Sequence, residues 1–285
     1  MPLPPESSQT VESSERAVLD ALPESDNLYA IAVEIVAARS GSFSGSLNEA
    51  IHAQVMDWFS MADLSVGSAI HNAQISPISV SGLMGRRRAK NVVKAGDLFS
   101  LRVGILQGSL LSILLAGLEA HQATYAAELS LDGFPFKLKQ ILALPGSSHL
   151  VGASQYSLLT QLPQTTPALT LRFVSPTSFR QQRHVQPFPL PHTVFSGLQK
   201  RWNKFAPNRF ALPRIDWQSF AASYDLKTRS VYLKGKPQVG AEGRVTYRFT
   251  DPEQARIAHQ LAHFANFAGV GRKTAMGMGQ TRLKT

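Results

Sequence analysis

The strongest constraint on how this chain can fold is an order of elements that occurs twice. The run Leu28–Val36 (LYAIAVEIV) has the β-branched density of a buried strand. After a Gly/Ser loop, Ser46 and Glu49 form an S-x-x-E capping box, and Leu47, Ile51, Val55 and Trp58 follow at helical spacing. Ser60 and Asp63 open a second short helix that ends near Ile70. Ile75–Ser81 and Asp97–Leu106 read as strands, Ser109–His121 as a helix and Phe134–Leu144 as a strand. The order then restarts. Leu169, Leu171 and Phe173 alternate in a strand, Pro191–Phe205 suits a helix, and Arg229–Lys234 and Arg244–Phe249 are two more strands. Asp251 and Pro252 make an N-cap and first-turn pair for a helix with Ile257, Leu261, Phe264 and Ala268 on one face, before a last short strand.

Each half is therefore strand, helix, strand, strand, helix, strand. That is the split βαβ order, and the fold class it predicts is α+β with two tandem ferredoxin-like, RRM-like domains. The division expected is an acidic disordered tail over 1–26 with a frayed helix near Glu15–Leu22, a first domain over 27–145, a linker over 146–166 and a second domain over 167–285. The linker rests on Gly146, Pro163 and many Ser, Thr and Gln residues. RRM-type aromatic motifs are absent, so the order of elements does not by itself settle function.

Charge narrows the partner. Residues 1–26 hold six acids and one base, Arg16, while the remainder carries 28 bases against 13 acids. A basic body points to a polyanion, most often nucleic acid. The 285 residues include no cysteine, which excludes a thiol nucleophile, a disulfide scaffold and a zinc–thiolate site. No apolar run approaches the roughly 20 residues of a membrane span, and the polar N-terminus is not a secretory signal, so a soluble cytoplasmic protein without membrane contact is expected.

The most distinctive segment is Gly269-Val-Gly-Arg-Lys-Thr-Ala-Met-Gly-Met-Gly279. Arg272 separates Gly271 from Lys273, so it is not a Walker A loop. Thr274 stands where a dinucleotide fingerprint needs glycine, and the segment follows a helix whereas both motifs follow a strand. What remains is a glycine loop tipped with Arg272 and Lys273, where Gly269, Gly271, Gly277 and Gly279 would let backbone N–H groups approach a phosphate.

An amphipathic helix running into such a loop near the C-terminus resembles the signature of the RAMP superfamily of CRISPR proteins. Leu171-Arg-Phe-Val-Ser-Pro-Thr-Ser-Phe179, Val194-Phe-Ser-Gly-Leu-Gln-Lys-Arg-Trp202 and Ile70-His-Asn-Ala-Gln-Ile-Ser-Pro-Ile-Ser-Val-Ser81 resemble segments of its repeat-RNA endoribonucleases, the sixth Cas family. The resemblance covers about residues 28–283 and implies precursor-crRNA processing. Cleavage would run without a metal or other cofactor by 2′-OH attack, leaving a 2′,3′-cyclic phosphate and a 5′-OH. CRISPR repeat RNA and the crRNA product are the implied partners, an interference complex a further one, and a monomer or homodimer the implied state.

Among eight histidines, His71 matches the family's catalytic position and His52 a helix position where some members carry tyrosine. His71 sits at a helix C-terminus, which favours an imidazolium. Two imidazoles, one charged and one neutral, can pass a proton from the ribose 2′-OH and to the leaving oxygen. His259 and His263 share a spacing used by zinc sites but lack the intervening glutamate, and read as a solvated polar face. The chain departs from the family in having no Lys or Arg over Asn72–Ser81, which leaves Ser76, Ser79 or a base of Arg86–Lys90 as the third partner. RNA contact is expected from Arg272 and Lys273, from Arg86, Arg87 and Arg88, and from Lys200, Arg201 and Lys204 around Trp202. Arg244 and Arg248 share one strand face opposite Val245, Tyr247 and Phe249. The rival reading is a RAMP-fold subunit that grips crRNA without cutting it, which would not need the histidine pair.

Overall fold

A computed structural model describes residues 17–43, 45–85, 91–163, 166–182 and 184–284. The bases Arg86, Arg87, Arg88 and Lys90 and the first sixteen residues of the acidic tail lie outside the described residues.

The first half begins with β1 (Asn27–Ala37), followed by α1 (Asn48–Ala62), α2 (Leu64–Asn72), β2 (Ile78–Val80), β3 (Leu98–Ile105) and α3 (Leu110–Tyr125). It closes with β4 (Glu128–Leu131) and β5 (Phe134–Leu142). The sheet order is β2-β3-β1-β5-β4, all antiparallel neighbours, with α1 and α3 packed on one face. Two side chains explain much of the helix placement. Trp58 is fully buried beneath α3, and Gly117 of α3 lets the helices approach so closely that a Cβ there would overlap the Trp58 carbonyl.

The second half contains β6 (Gly152–Gln155), α4 (Tyr156–Thr160), β7 (Ala168–Thr177), α5 (Pro191–Phe205), β8 (Ser219–Leu233), β9 (Lys236–Phe249), α6 (Pro252–Ala268) and β10 (Thr281–Lys284). Its sheet runs β8-β9-β7-β10. Both sheets thus place the first and third strands of their unit at the centre, the ferredoxin-like arrangement expected from the element order. Val245, Tyr247 and Phe249 turn into the core while Arg244 and Arg248 face outward, as their alternation implies.

Four local expectations are corrected. The capping box does not form: Leu47 holds the N-cap position in a left-handed conformation, and Glu49 instead accepts a hydrogen bond from the Lys234 backbone N–H. The stretch read as a linker carries β6, which pairs with Asn27–Ala30 of β1, and Tyr156, which is fully buried with its hydroxyl donating to the Leu106 carbonyl at 2.8 Å. Residues 17–26 of the expected tail pack on the body, with Leu19 buried and Asp20 paired to Lys204 at 3.1 Å. The two strands read over Arg229–Phe249 belong to one long hairpin, Ser219–Phe249, because β8 is exposed along most of its length and its polar sequence hid it.

The halves share their packing. Leu28, Ala30 and Leu106 of the first half lie in the second hydrophobic core with Phe264 and Leu261 of α6. Gly104 of β3 faces the Phe267 carbonyl so closely that a side chain there would collide with it. Ser79 donates to the same carbonyl at 2.6 Å. The segment after α6 therefore docks against β2 and the start of α1, which builds the site described next.

Candidate active site

His52 lies on the second turn of α1, half-buried, and His71 lies exposed in the last turn of α2. Asp63 turns the chain between these helices by accepting hydrogen bonds from the Ser65 and Val66 backbone N–H groups. The turn brings the imidazoles to a centroid separation of 5.7 Å with their planes 30° apart. The pair named from the sequence is thus a spatial pair.

The His52 ring is fixed. Its Nδ1 lies 3.0 Å from the Ala275 carbonyl oxygen, which only accepts, so Nδ1 carries the proton and Nε2 keeps a free lone pair in the neutral ring. Burial pushes the His52 pKa below the ordinary histidine value; the Ala275 carbonyl opposes this, and the nearby charges of His71 and Lys234 add to it. Burial therefore favours the neutral form of the His52 ring.

The glycine loop has a different role from the one its composition suggests. Gly269, Gly277 and Gly279 are buried, and their N–H groups donate to the carbonyls of Ala265, Val80 and Pro176 at 2.8, 3.1 and 3.1 Å. All three have φ between 67° and 82°, and a Cβ at Gly277 would overlap Asn48 while one at Gly279 would overlap the Val270 carbonyl. These glycines are packing positions whose donors are already used, which corrects their expected contact with a phosphate. Gly271 alone of the four is exposed. The loop delivers the Ala275 carbonyl to His52 and the Met276 carbonyl to Asn48, which donates to it at 3.2 Å. It also presents Arg272 and Lys273, both half-buried. Lys273 has φ 55°, and desolvation lowers its pKa, assisted by Arg272 and Lys234 and opposed by Glu49.

Arg201, expected on an RNA-binding surface, is buried inside the molecule. Its guanidinium donates to the Ala268 carbonyl, to Thr274 Oγ1 at 3.1 Å and to the Ser76 carbonyl at 3.0 Å. Burial lowers its pKa to about 10, with Tyr156 opposing, so it stays cationic at neutral pH. It clamps the glycine loop to β2 and has no face left for a ligand. Lys200 is exposed on α5. Lys204, paired with Asp20, lines an 810 Å³ groove together with Asn72–Ile75 and Leu19, beside the end of α2.

Two candidates for a third partner change standing. Ser79 is fully buried and committed to Phe267, so it is excluded. Ser76 Oγ accepts the Ile78 N–H at 3.3 Å. Nothing in the sequence singles out Lys234, which the fold carries to this place at the tip of the β8–β9 hairpin. The only local signal was Lys-Gly between two strands, a turn signature that says nothing about where the turn docks.

Near the site bases outnumber acids, although Glu49 reaches the Lys234 backbone and Asp225 of β8 pairs with Arg244 at 3.4 Å. Arg282, Arg172 and Arg244 stand in register across β10, β7 and β9. Arg102 is buried with its Nε donating to the Leu150 carbonyl at 2.8 Å, and burial together with Arg282 lowers its pKa to about 10. Arg102 and Arg282 both line a 270 Å³ cleft between the halves whose lining includes no carboxylate. His259 and His263, read as solvated, are half-buried, with His259 Nε2 3.1 Å from the Thr166 carbonyl. Among the described residues no three His, Asp or Glu side chains converge as a metal-ligand set, and no helix is long and apolar enough to cross a membrane.

The two ferredoxin-like units, with a glycine loop after the last helix, give this chain a fold similar to that of solved Cas6 and RAMP proteins. Residues 171–281 match the family model of the CRISPR-associated endoribonuclease Cas6. A curated relative, the CRISPR-associated endoribonuclease Cas6 of Streptococcus thermophilus, is 21% identical over 140 residues, covering 47% of this chain and 58% of the relative. A solved Cas6 product complex is similar over 91% of this chain and 100% of that one, with a TM-score of 0.70 and 25% identity. Thermus thermophilus Cas6 shares the fold over 92% of this chain and 100% of its own, with a TM-score of 0.70 and 20% identity.

Proposed function

We propose that the protein is an endoribonuclease that cuts CRISPR repeat RNA in precursor transcripts to give crRNAs, with His52 as base and His71 as acid and no metal in the chemical step. The observation that carries this reading is the imidazole pair at 5.7 Å with the His52 tautomer set by the Ala275 carbonyl. His52 Nε2 takes the proton of the ribose 2′-OH. The 2′ oxygen bonds to the adjacent phosphorus as the bond from phosphorus to the 5′ oxygen breaks, and His71 gives its proton to that oxygen. The products are a 2′,3′-cyclic phosphate and a 5′-OH.

The family model, the Streptococcus relative and the product complex support the substrate class. The arginine row and the cleft with Arg102 and Arg282 support a polyanion lying across both halves, with Arg272 and Lys273 at its centre. The product either leaves or stays bound for an interference complex, and a cleavage reaction followed to completion separates the two by its turnover number.

The test is cleavage of repeat RNA from the organism's own arrays by the wild type, His52→Ala and His71→Ala, alongside binding of the same RNA. The reading predicts a loss of about 10²–10⁴-fold in rate for each variant with binding retained. Tight binding without cutting by the wild type would move the protein to the rival reading, a crRNA-gripping subunit.

A further inference from the structure

The histidine pair moves protons but does not offset the charge that builds on the phosphate as the 2′ oxygen attacks. No cation follows His71 before Ser81, and Ser79 is committed elsewhere. We infer that Lys234, at the tip of the β8–β9 hairpin, is the third catalytic residue and places its ammonium on a non-bridging oxygen of the scissile phosphate. The assignment rests on the histidine reading above.

Three observations place it. First, the hairpin tip is strapped to the catalytic helix: the Lys234 backbone N–H donates to Glu49 Oε1, and Glu49 precedes His52 by three residues on α1, so the two side chains project from one helix face. Second, the Lys234 charge lowers the pKa of both His52 and Lys273 of the glycine loop, which agrees with the place the strapped hairpin tip gives it. Third, the turn is unusual for its residue. Leu233 pairs with Lys236, leaving Lys234 (φ 53°) and Gly235 (φ 67°) as a two-residue turn with both φ angles positive, where Asn or Asp is the favoured first residue. A lysine there gives up local stability for a charge at the end of a 15-residue strand.

Lys234 is not part of a buried structural pair. It is exposed, while Glu49 engages its backbone. Glu49 also opposes the lowering of the Lys273 pKa that desolvation causes. The chemistry needs no further reactant: Lys234 takes no part in proton transfer and only offsets charge.

The absence of cysteine makes the test selective. Lys234→Cys can be alkylated with 2-bromoethylamine, which rebuilds a lysine-like side chain at that position alone. Single-turnover cleavage of repeat RNA and binding of a repeat RNA bearing a 2′-deoxy nucleotide at the cut site are measured before and after. We expect a rate loss of about 10²-fold for Lys234→Cys, recovery of most of it on aminoethylation, and a binding change under about threefold. Lys234→Asn, which suits the turn, should lose the same rate while unfolding no earlier than the wild type. Lys234→Cys cutting at the wild-type rate, or losing binding in proportion to cleavage, overturns the assignment. His71→Ala cutting at the wild-type rate overturns the histidine reading and this inference with it, whereas an inactive His71→Ala beside an unimpaired Lys234→Cys sinks only the inference.

Discussion

At the scale of single residues, the proposed reaction needs a neutral imidazole, and the surroundings of His52 favour that form. His52 is half-buried against an acceptor-only carbonyl and beside two positive neighbours, so its protonation is disfavoured at neutral pH. Because the folded value lies below the ordinary 6.5, the base is lost only as pH falls through that lowered value. The cleavage rate is therefore expected to hold through pH 6.5 and to decline on the acid side of it. Lys234→Asn removes one of the like charges and should move that acid limb to higher pH. The check is a single-turnover pH profile of both proteins. His52 and His71 were legible from the sequence because the family resemblance marked one and the edge of an apolar stripe marked the other. Lys234 was not, since 182 residues separate it from His52 and no local pattern records which helix a hairpin tip will meet.

At the scale of elements, the glycine loop is a part of the fold that serves the site. Gly279→Ala would force a side chain into a positive φ and against the Val270 carbonyl. We expect a cost of about 2–4 kcal/mol, read by chemical denaturation, with cleavage falling because Ala275 no longer meets His52. Arg201→Ala strips the donors from three carbonyl groups and Thr274 Oγ1 at a fully enclosed place. It should destabilise by about 2–4 kcal/mol as well, and lower the rate without changing the salt dependence of RNA binding, which separates a clamp from a phosphate contact. Helices α5 and α6 were read correctly because Pro191, Asp251 and Pro252 punctuate them and their apolar residues keep a helical period. The loop and Arg201 were misread for one reason: composition reports glycine and charge, while burial decides whether a backbone donor or a guanidinium has anything left to offer. The Ser46/Glu49 pair had the spacing of a cap, but Glu49 found a better use across the molecule. Sheet β8–β9 was under-read because an exposed hairpin lacks the apolar alternation that marks a strand.

At the scale of the whole molecule, two halves share one core and one basic surface. Three histidines, His52, His259 and His263, have pKa values lowered first of all by burial. The unfolded chain therefore binds more protons than the folded one as pH drops below 6.5, and folding stability must fall with it. The melting temperature is expected to be lower at pH 5.5 than at pH 7.5, and His259→Gln with His263→Gln should flatten the difference. The arginine row predicts that affinity for repeat RNA falls linearly in log–log terms with salt, with a slope of about −0.7 to −0.9 for each phosphate neutralised, and that Arg172→Ala or Arg244→Ala lowers the slope by about that amount without abolishing cleavage at low salt. The doubling of the fold was legible from the order of elements. The way the halves interlock was not: α6 also meets β1, β2 and β3 of the first half, and its buried Ala258, Ala262 and Ala265 are too small to announce a second buried face.

The central claim is that the ribose 2′ oxygen is the nucleophile and two histidines move the protons. The most direct measurement is cleavage, in excess EDTA, of a repeat RNA and of its twin with a single 2′-deoxy nucleotide at the cut site, with the ends of the products identified by mass. The account predicts that the all-ribose RNA is cut to a 2′,3′-cyclic phosphate and a 5′-OH, and that the deoxy twin is bound but left whole. Cutting of the deoxy twin, or cutting that EDTA abolishes, would contradict it.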